Sequence, residues 1–359
     1  MQPREGARRR LAGTFLLDSP HETPADVVGA LGAVQAQDYP GAKWAVAQRT
    51  PGVTSADLDR ALADGTIVRT HVLRPTWHFV LPSDIRWMLA LTGGRILAGL
   101  GARHRFLEVD SALRRRANRL LEKALRDGNH LTRDEIADLF TRGGIDLTER
   151  QRLGHLLLIA ELEGLICSGP VRGKQFTWAL FDERVPPSTM PSRDEAVTEL
   201  VRRYYTTHGP ATVHDFAWWS GLTTADAKRG LEALGASVEK TTIDGRVYWF
   251  APGPAPARSA SSLAHLLPNY DEYFIGHKDR SAILEQAEGA GVRHLALGLT
   301  AYPILVDGQV VGGWKRSVRG EAVVVGLELL LDVGDRARRA IAAQVKRYGD
   351  FLGVAATIA

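Results

Sequence analysis

Three times along the chain, apolar residues spaced three and four apart give way to a shorter stretch in which apolar and polar residues alternate, ending in aromatics. The first spacing marks an amphipathic helix and the second a half-buried strand, so each switch predicts helices followed by a β-hairpin. The first block reads as helices over 23–35, 42–48 and 55–64, then a hairpin of 67–74 and 76–81 that closes on Trp77 and Phe79. The second reads as helices over 111–126, 132–140 and 148–163, with a hairpin over 165–180 that ends in Phe176 and Trp178. Thr132 with Glu135 three residues on has the spacing of a capping box, which satisfies two orphan amides at a helix start. The third block has helices over 193–208, 212–219 and 223–234 and a hairpin over 237–250. Its turn is Asp244-Gly245, a pair suited to the left-handed backbone of a two-residue hairpin loop.

Helices followed by a two-stranded wing make a winged helix, in which one helix can enter a DNA groove while the wing meets the backbone. Three copies in tandem predict an α+β chain shaped as a clamp. Winged helices also serve as packing or protein-binding modules, so the pattern alone leaves that use open. Segments 186–192 and 251–262, rich in Pro, Ser and Ala, read as linkers. Beyond them come strands over 263–267, 302–306, 310–314 and 322–331, a turn at Asp307-Gly308 and a helix over 334–348. The expected division is therefore 1–110 (an N-terminal helix plus the first winged helix), 111–186, 187–255, and a β-rich C-terminal domain over 256–359.

Composition narrows the function. No apolar run approaches the roughly 20 residues of a membrane span, and basic residues 1–10 lead into 11–17 with no small-residue cleavage pattern. A cytoplasmic protein is expected. The single cysteine, Cys167, excludes an internal disulfide, and no Cys/His group has zinc spacing, so neither a metal nor another cofactor is expected. A formal charge of +4 and a pI near 9.2 suit double-stranded DNA as partner, although many enzymes carry as much. Gly312-Gly313 and Gly143-Gly144 lack the lysine and the strand-to-helix setting of a nucleotide loop.

The segment Val34-Gln35-Ala36-Gln37-Asp38 leaves a predicted helix for a Pro40-Gly41 turn. If extended, it places Gln35 and Gln37 on one side of the backbone. Glutamines at a helix end also cap carbonyls or meet solvent. In the first wing, Arg74, Thr76 and His78 alternate onto one face, which offers Arg74 and His78 for phosphate or lesion contact; a histidine packed in a hairpin is the other reading. Lys315 and Arg316, directly after a strand, are candidate backbone contacts, as are Arg319 and the stretches Arg103-His104-Arg105 and Arg114-Arg115-Arg116. Asp271 and Lys278 read either as a structural pair in a buried salt bridge or as functional residues.

Val34-Gln35-Ala36-Gln37 and Arg74-Pro75-Thr76-Trp77-His78 resemble signature stretches of the AlkZ/YcaQ family of DNA glycosylases. So do His265-Leu266-Leu267-Pro268-Asn269-Tyr270-Asp271-Glu272-Tyr273, Gly276-His277-Lys278-Asp279-Arg280 and the strand pair around Val306–Gly312. The resemblance implies a C-shaped set of three winged helices and removal of N7-alkylated guanines, bulky adducts and interstrand crosslinks included. It also implies that Gln35 and Gln37 form the catalytic Gln–apolar–Gln element of AlkZ-like members. Asp38 comes one residue late for the Gln–apolar–Asp of YcaQ-like members and reads as a turn former or a helper.

Such mild groups suit that substrate. N7 alkylation leaves guanine cationic and ready to depart, so the protein has only to hold water near C1′ and stabilise an oxocarbenium-like transition state, which amide oxygens can do. A Schiff-base lysine has no support near the motif, so the product is expected to be an abasic site without strand cleavage. AlkZ-like members resemble self-resistance enzymes of bacteria that make DNA-damaging metabolites, and the Arg- and Ala-rich composition suits a GC-rich bacterium. A monomer is expected. The competing reading is a winged-helix transcription regulator that binds an operator and leaves it intact.

Overall fold

The computed structural model describes residues 3–256, 262–284, 302–319 and 322–359. Residues 257–261 of the expected second linker lie outside the described residues. The chain forms two compact units: one of Met1–Leu58, Thr198–Trp219 and Thr223–Ala359, the other of Asp59–Val197 with Ser220–Leu222. The first unit thus draws on three separate stretches of the chain.

In the second unit, Val68–His71 and Trp77–Val80 pair antiparallel around a turn in which Leu73 takes a positive φ of 63°. The chain then enters the helix Pro82–Gly99, which the spacing of apolar residues does not predict. Pro82 suits its first turn, but the N-cap is Leu81, whose side chain makes no capping hydrogen bond, and Gly93-Gly94 interrupts its middle. Gly93 is nonetheless required there: a Cβ would lie 2.9 Å from the Leu162 carbonyl oxygen of the neighbouring Arg152–Leu162 helix.

Leu121 of the Ser111–Leu125 helix and Ile136 and Phe140 of the Arg133–Arg142 helix pack with Leu156 and Ile159 of the Arg152–Leu162 helix in one core. The Thr132/Glu135 capping box forms as expected. A strand too short to be read from alternation, His130–Thr132, joins the hairpin of Ile166–Ser168 and Thr177–Leu180 by pairing with its second strand.

The first unit is built on a five-stranded sheet in the order Ala355–Ile358, Ala322–Leu329, Gln309–Arg319, Pro303–Val306, Ala264–Leu266. Alternate residues face opposite ways, as the strand pleat requires. Ile304 and Val311 pack with Trp44, Ile341 and Tyr348, the last two from the helix Gly334–Leu352, whereas Leu305 and Val310 pack with Leu11 of the helix Pro3–Gly13 and with Tyr273. The parallel edge strand Ala355–Ile358 adds one strand to those the sequence pattern predicts. The same unit carries the third helix-and-hairpin block, with the helices Val213–Ser220 and Thr224–Leu234 and the pair Glu239–Ile243 and Arg246–Phe250. Asp244 and Gly245 take φ of 49° and 74°, the turn the pair predicts. Among the described residues, no helix is long and apolar enough to cross a membrane.

Burial holds the imidazoles of His78, His265 and His277, among others, below the usual histidine value, His265 at about 3. Unfolded, each titrates near 6.5. Because the folded values are depressed, the unfolded chain binds more protons below about pH 6.5, so this stability is present above that pH and is lost as pH falls. The melting temperature is expected to hold steady between about pH 7 and 8 and to drop progressively below about 6.5. A melting temperature unchanged down to about pH 4.5 would contradict this.

Candidate active site

The Gln35/Gln37 segment is shaped by its two neighbouring helices. Thr23 and Asp26 form a capping box that starts the helix Pro24–Leu31, and Gly32, at φ 82°, ends it. The helix therefore stops short of Gln35, earlier than its apolar spacing suggests. Val34–Gln35 is extended, and Asp38 caps the next helix, Tyr39–Ala47, through a hydrogen bond from the Gly41 amide at 3.3 Å. Pro40 belongs to the first turn of that helix rather than to a separate Pro-Gly turn, since its fixed φ suits a helix start. Gly41 is needed for the cap: a Cβ there would lie 2.4 Å from Asp38 Oδ2.

The two glutamines have unequal surroundings: Gln35 is 5% exposed, while Gln37 is open to solvent. The Gln35 backbone N–H donates to Glu272 Oε1 at 3.0 Å. Glu272 is itself buried, and its other oxygen accepts from Trp219 Nε1 at 2.8 Å and lies 3.1 Å from His208 Nε2. Next to it, Asp271 forms a two-point ion pair with Arg49, both contacts at 2.8 Å. Asp271 thus pairs with Arg49 and not with Lys278, whose backbone amide instead donates to Asp215. A buried carboxylate held by a forked guanidinium is strongly fixed in direction.

Asp38 has a second partner, the Tyr302 hydroxyl, which donates to Oδ2 at 2.7 Å. Burial, followed by this bond to Asp38, pushes the Tyr302 hydroxyl up to about 12, so it remains a donor at any physiological pH. The Arg316 guanidinium carbon lies 5.8 Å from the ring centres of both Tyr302 and Tyr348. Arg316 is half-buried and Lys315 exposed. Arg316 is thereby brought into the surroundings of the glutamine segment. The side chain of Arg319 lies outside the described residues.

Arg74 and His78 belong to the second unit. Arg74 is half-buried in the turn, whereas His78 is fully buried, with Nδ1 2.9 Å from the Thr76 carbonyl oxygen. Burial, together with nearby Arg74, holds its imidazole well below the usual value, so it presents neither a surface nor a charge to a phosphate. The packed-histidine reading fits this geometry. Among the arginine stretches, Arg103 is engaged by Gln151 and Arg114 by Glu163.

The sequence does not point to Glu272, Tyr302 or Arg49 as members of the site, because Glu272 and Tyr302 lie far along the chain from the glutamines and Arg49 acts through Asp271. Nor does it reveal a groove of about 1040 Å³ in the first unit, lined by Lys228, Lys240, Arg246 and Lys278. Asp279 lines it too and pairs with Arg246 at 2.6 Å.

A family model described as "DNA glycosylase AlkZ-like" matches residues 28–351. The chain belongs to this family. It is a DNA N-glycosylase, which decides against a non-catalytic regulator. An AlkZ-like relative, "Interstrand DNA cross-link repair glycosylase" of Streptomyces sahachiroi, is 26% identical over 320 residues, covering 85% of each chain. The solved structure of Streptomyces sahachiroi DNA glycosylase AlkZ matches with a TM-score of 0.77 at 24% identity, covering 99% of each chain. The mixed α+β architecture is therefore that of the AlkZ fold.

Proposed function

We propose that this AlkZ-like chain hydrolyses the N-glycosidic bond of N7-alkylguanine in duplex DNA, with Gln35 and Gln37 as catalytic residues. One observation carries the reading: the glutamine segment offers neutral amides, while the two carboxylates that contact or belong to it, Glu272 and Asp38, are already engaged. Asp38 is occupied by the Gly41 amide and Tyr302, and Glu272 by the Gln35 amide, Trp219 and His208. A site without a strong base suits a leaving group that is already cationic. Water adds to C1′ and loses a proton to solvent, while the bond electrons pass to the base, which departs neutral. The amide oxygens hold that water and face the positive charge growing on the sugar.

The three helix-and-hairpin blocks act as winged helices that grip the duplex, with Arg74, Lys315 and Arg316 on the backbone. The name of the Streptomyces sahachiroi relative points to interstrand crosslinks as substrates, and self-resistance to a DNA-alkylating metabolite fits the same chemistry. Incubation with a duplex containing N7-methylguanine, and separately with an N7-crosslinked duplex, tests the reading. Free alkylated base and alkali-labile sites are expected from both; no release from either would end it.

Backbone contact has its own readout. Each phosphate contact contributes a slope of about 0.9 to the fall of log K with log salt. Lys315→Ala and Arg316→Ala are each expected to lower the slope by about that much, measured by fluorescence anisotropy. An unchanged slope removes the residue from the interface.

A further inference from the structure

We infer that Tyr302 is a positioning residue that, with Glu272, clamps the Gln35–Asp38 segment in its working geometry from the C-terminal part of the chain. The inference rests on the catalytic reading of the glutamines. Glu272 holds the segment at one end by the Gln35 amide, across 237 residues of sequence. Tyr302 holds it at the other by the Asp38 carboxylate, across 264. Only Ala36 and Gln37 lie between the two anchors, so the path of the exposed catalytic amide is fixed from both sides.

Each anchor is itself braced. Trp219 and His208 occupy the far oxygen of Glu272, so its near oxygen stays turned to Gln35. Tyr302 packs edge-on against Trp314, ring centres 5.5 Å apart, and Trp314 Nε1 donates to the Leu267 carbonyl oxygen at 2.7 Å. The Asp38 carboxylate fills the space left by the missing Gly41 side chain. Neither Tyr302 nor Glu272 needs to touch substrate. Misplacement of a catalytic group by about 1 Å can cost about a hundredfold in rate, so a brace of this kind acts on kcat rather than on binding.

Tyr302→Phe removes one hydroxyl from a half-buried ring and leaves the packing in place. Single-turnover excision of N7-methylguanine is expected to fall about tenfold, with the Kd for DNA within about twofold. Amide hydrogen exchange across residues 35–41 is expected to speed up, while the five-stranded sheet exchanges as before. In a Gln37→Ala background the same change is expected to cost less than about twofold, because the group being positioned is gone. Unaltered exchange at 35–41, a wild-type rate, or an equal tenfold loss in both backgrounds overturns the clamp. If Gln37→Ala alone excises at the wild-type rate, the catalytic reading fails, and the exchange measurement still decides whether Tyr302 holds the segment.

Discussion

Gln37→Ala is expected to lower single-turnover excision of N7-methylguanine about a hundredfold, or about 2.7 kcal/mol of transition-state stabilisation. Gln37 is the exposed member of the pair, so in the proposed reading its amide is the more accessible to a lesion-bound water. Its loss leaves the charge of the protein unchanged, and phosphate contacts dominate affinity for DNA. The Kd is therefore expected to stay within about twofold. The Gln35/Gln37 double change is expected to lower excision further without weakening binding. An equal fall in rate and affinity would make the segment structural.

Arg49→Met is expected to cost about 3–5 kcal/mol of stability, since removing one partner of a buried ion pair strands the other charge. Arg49 and Asp271 are both almost wholly buried, and Arg49 also donates to the Thr14 and Ala45 carbonyl oxygens. Asp271 directly precedes Glu272 and accepts from the Tyr273 amide, so its release disturbs the turn that meets Gln35. Urea denaturation measures the effect. A loss below about 1 kcal/mol would show that the pair is not what holds the turn.

The parts of the chain legible in the sequence are those whose signals are local. The Thr132/Glu135 cap and the Asp244-Gly245 turn each depend on residues a few positions apart, and each forms as expected. The helix Pro82–Gly99 escapes because Leu81 offers no cap and Gly93 serves a close approach to Leu162. The strand His130–Thr132 is too short for alternation to register. At the site, Gln35 and Gln37 stand out only through a family resemblance, since their residue types are ordinary. The links of Glu272 and Tyr302 to the glutamine segment are invisible, although Glu272 lies in a stretch that resembles the family, because each is a hydrogen bond across 237 and 264 residues of sequence, respectively. The burial of His78 likewise depends on packing that hairpin alternation does not encode.

In the proposed reading, two held amides suffice only if the leaving base is already cationic. The most direct test compares excision of N7-methylguanine with that of 7-deaza-7-methylguanine, which has the same shape but carries carbon at that position and no positive charge. Release of the first, with no detectable release of the second under the same single-turnover conditions, is the expected result. Comparable release of both would contradict the account, because the protein would then have to supply the activation that its neutral amides do not provide.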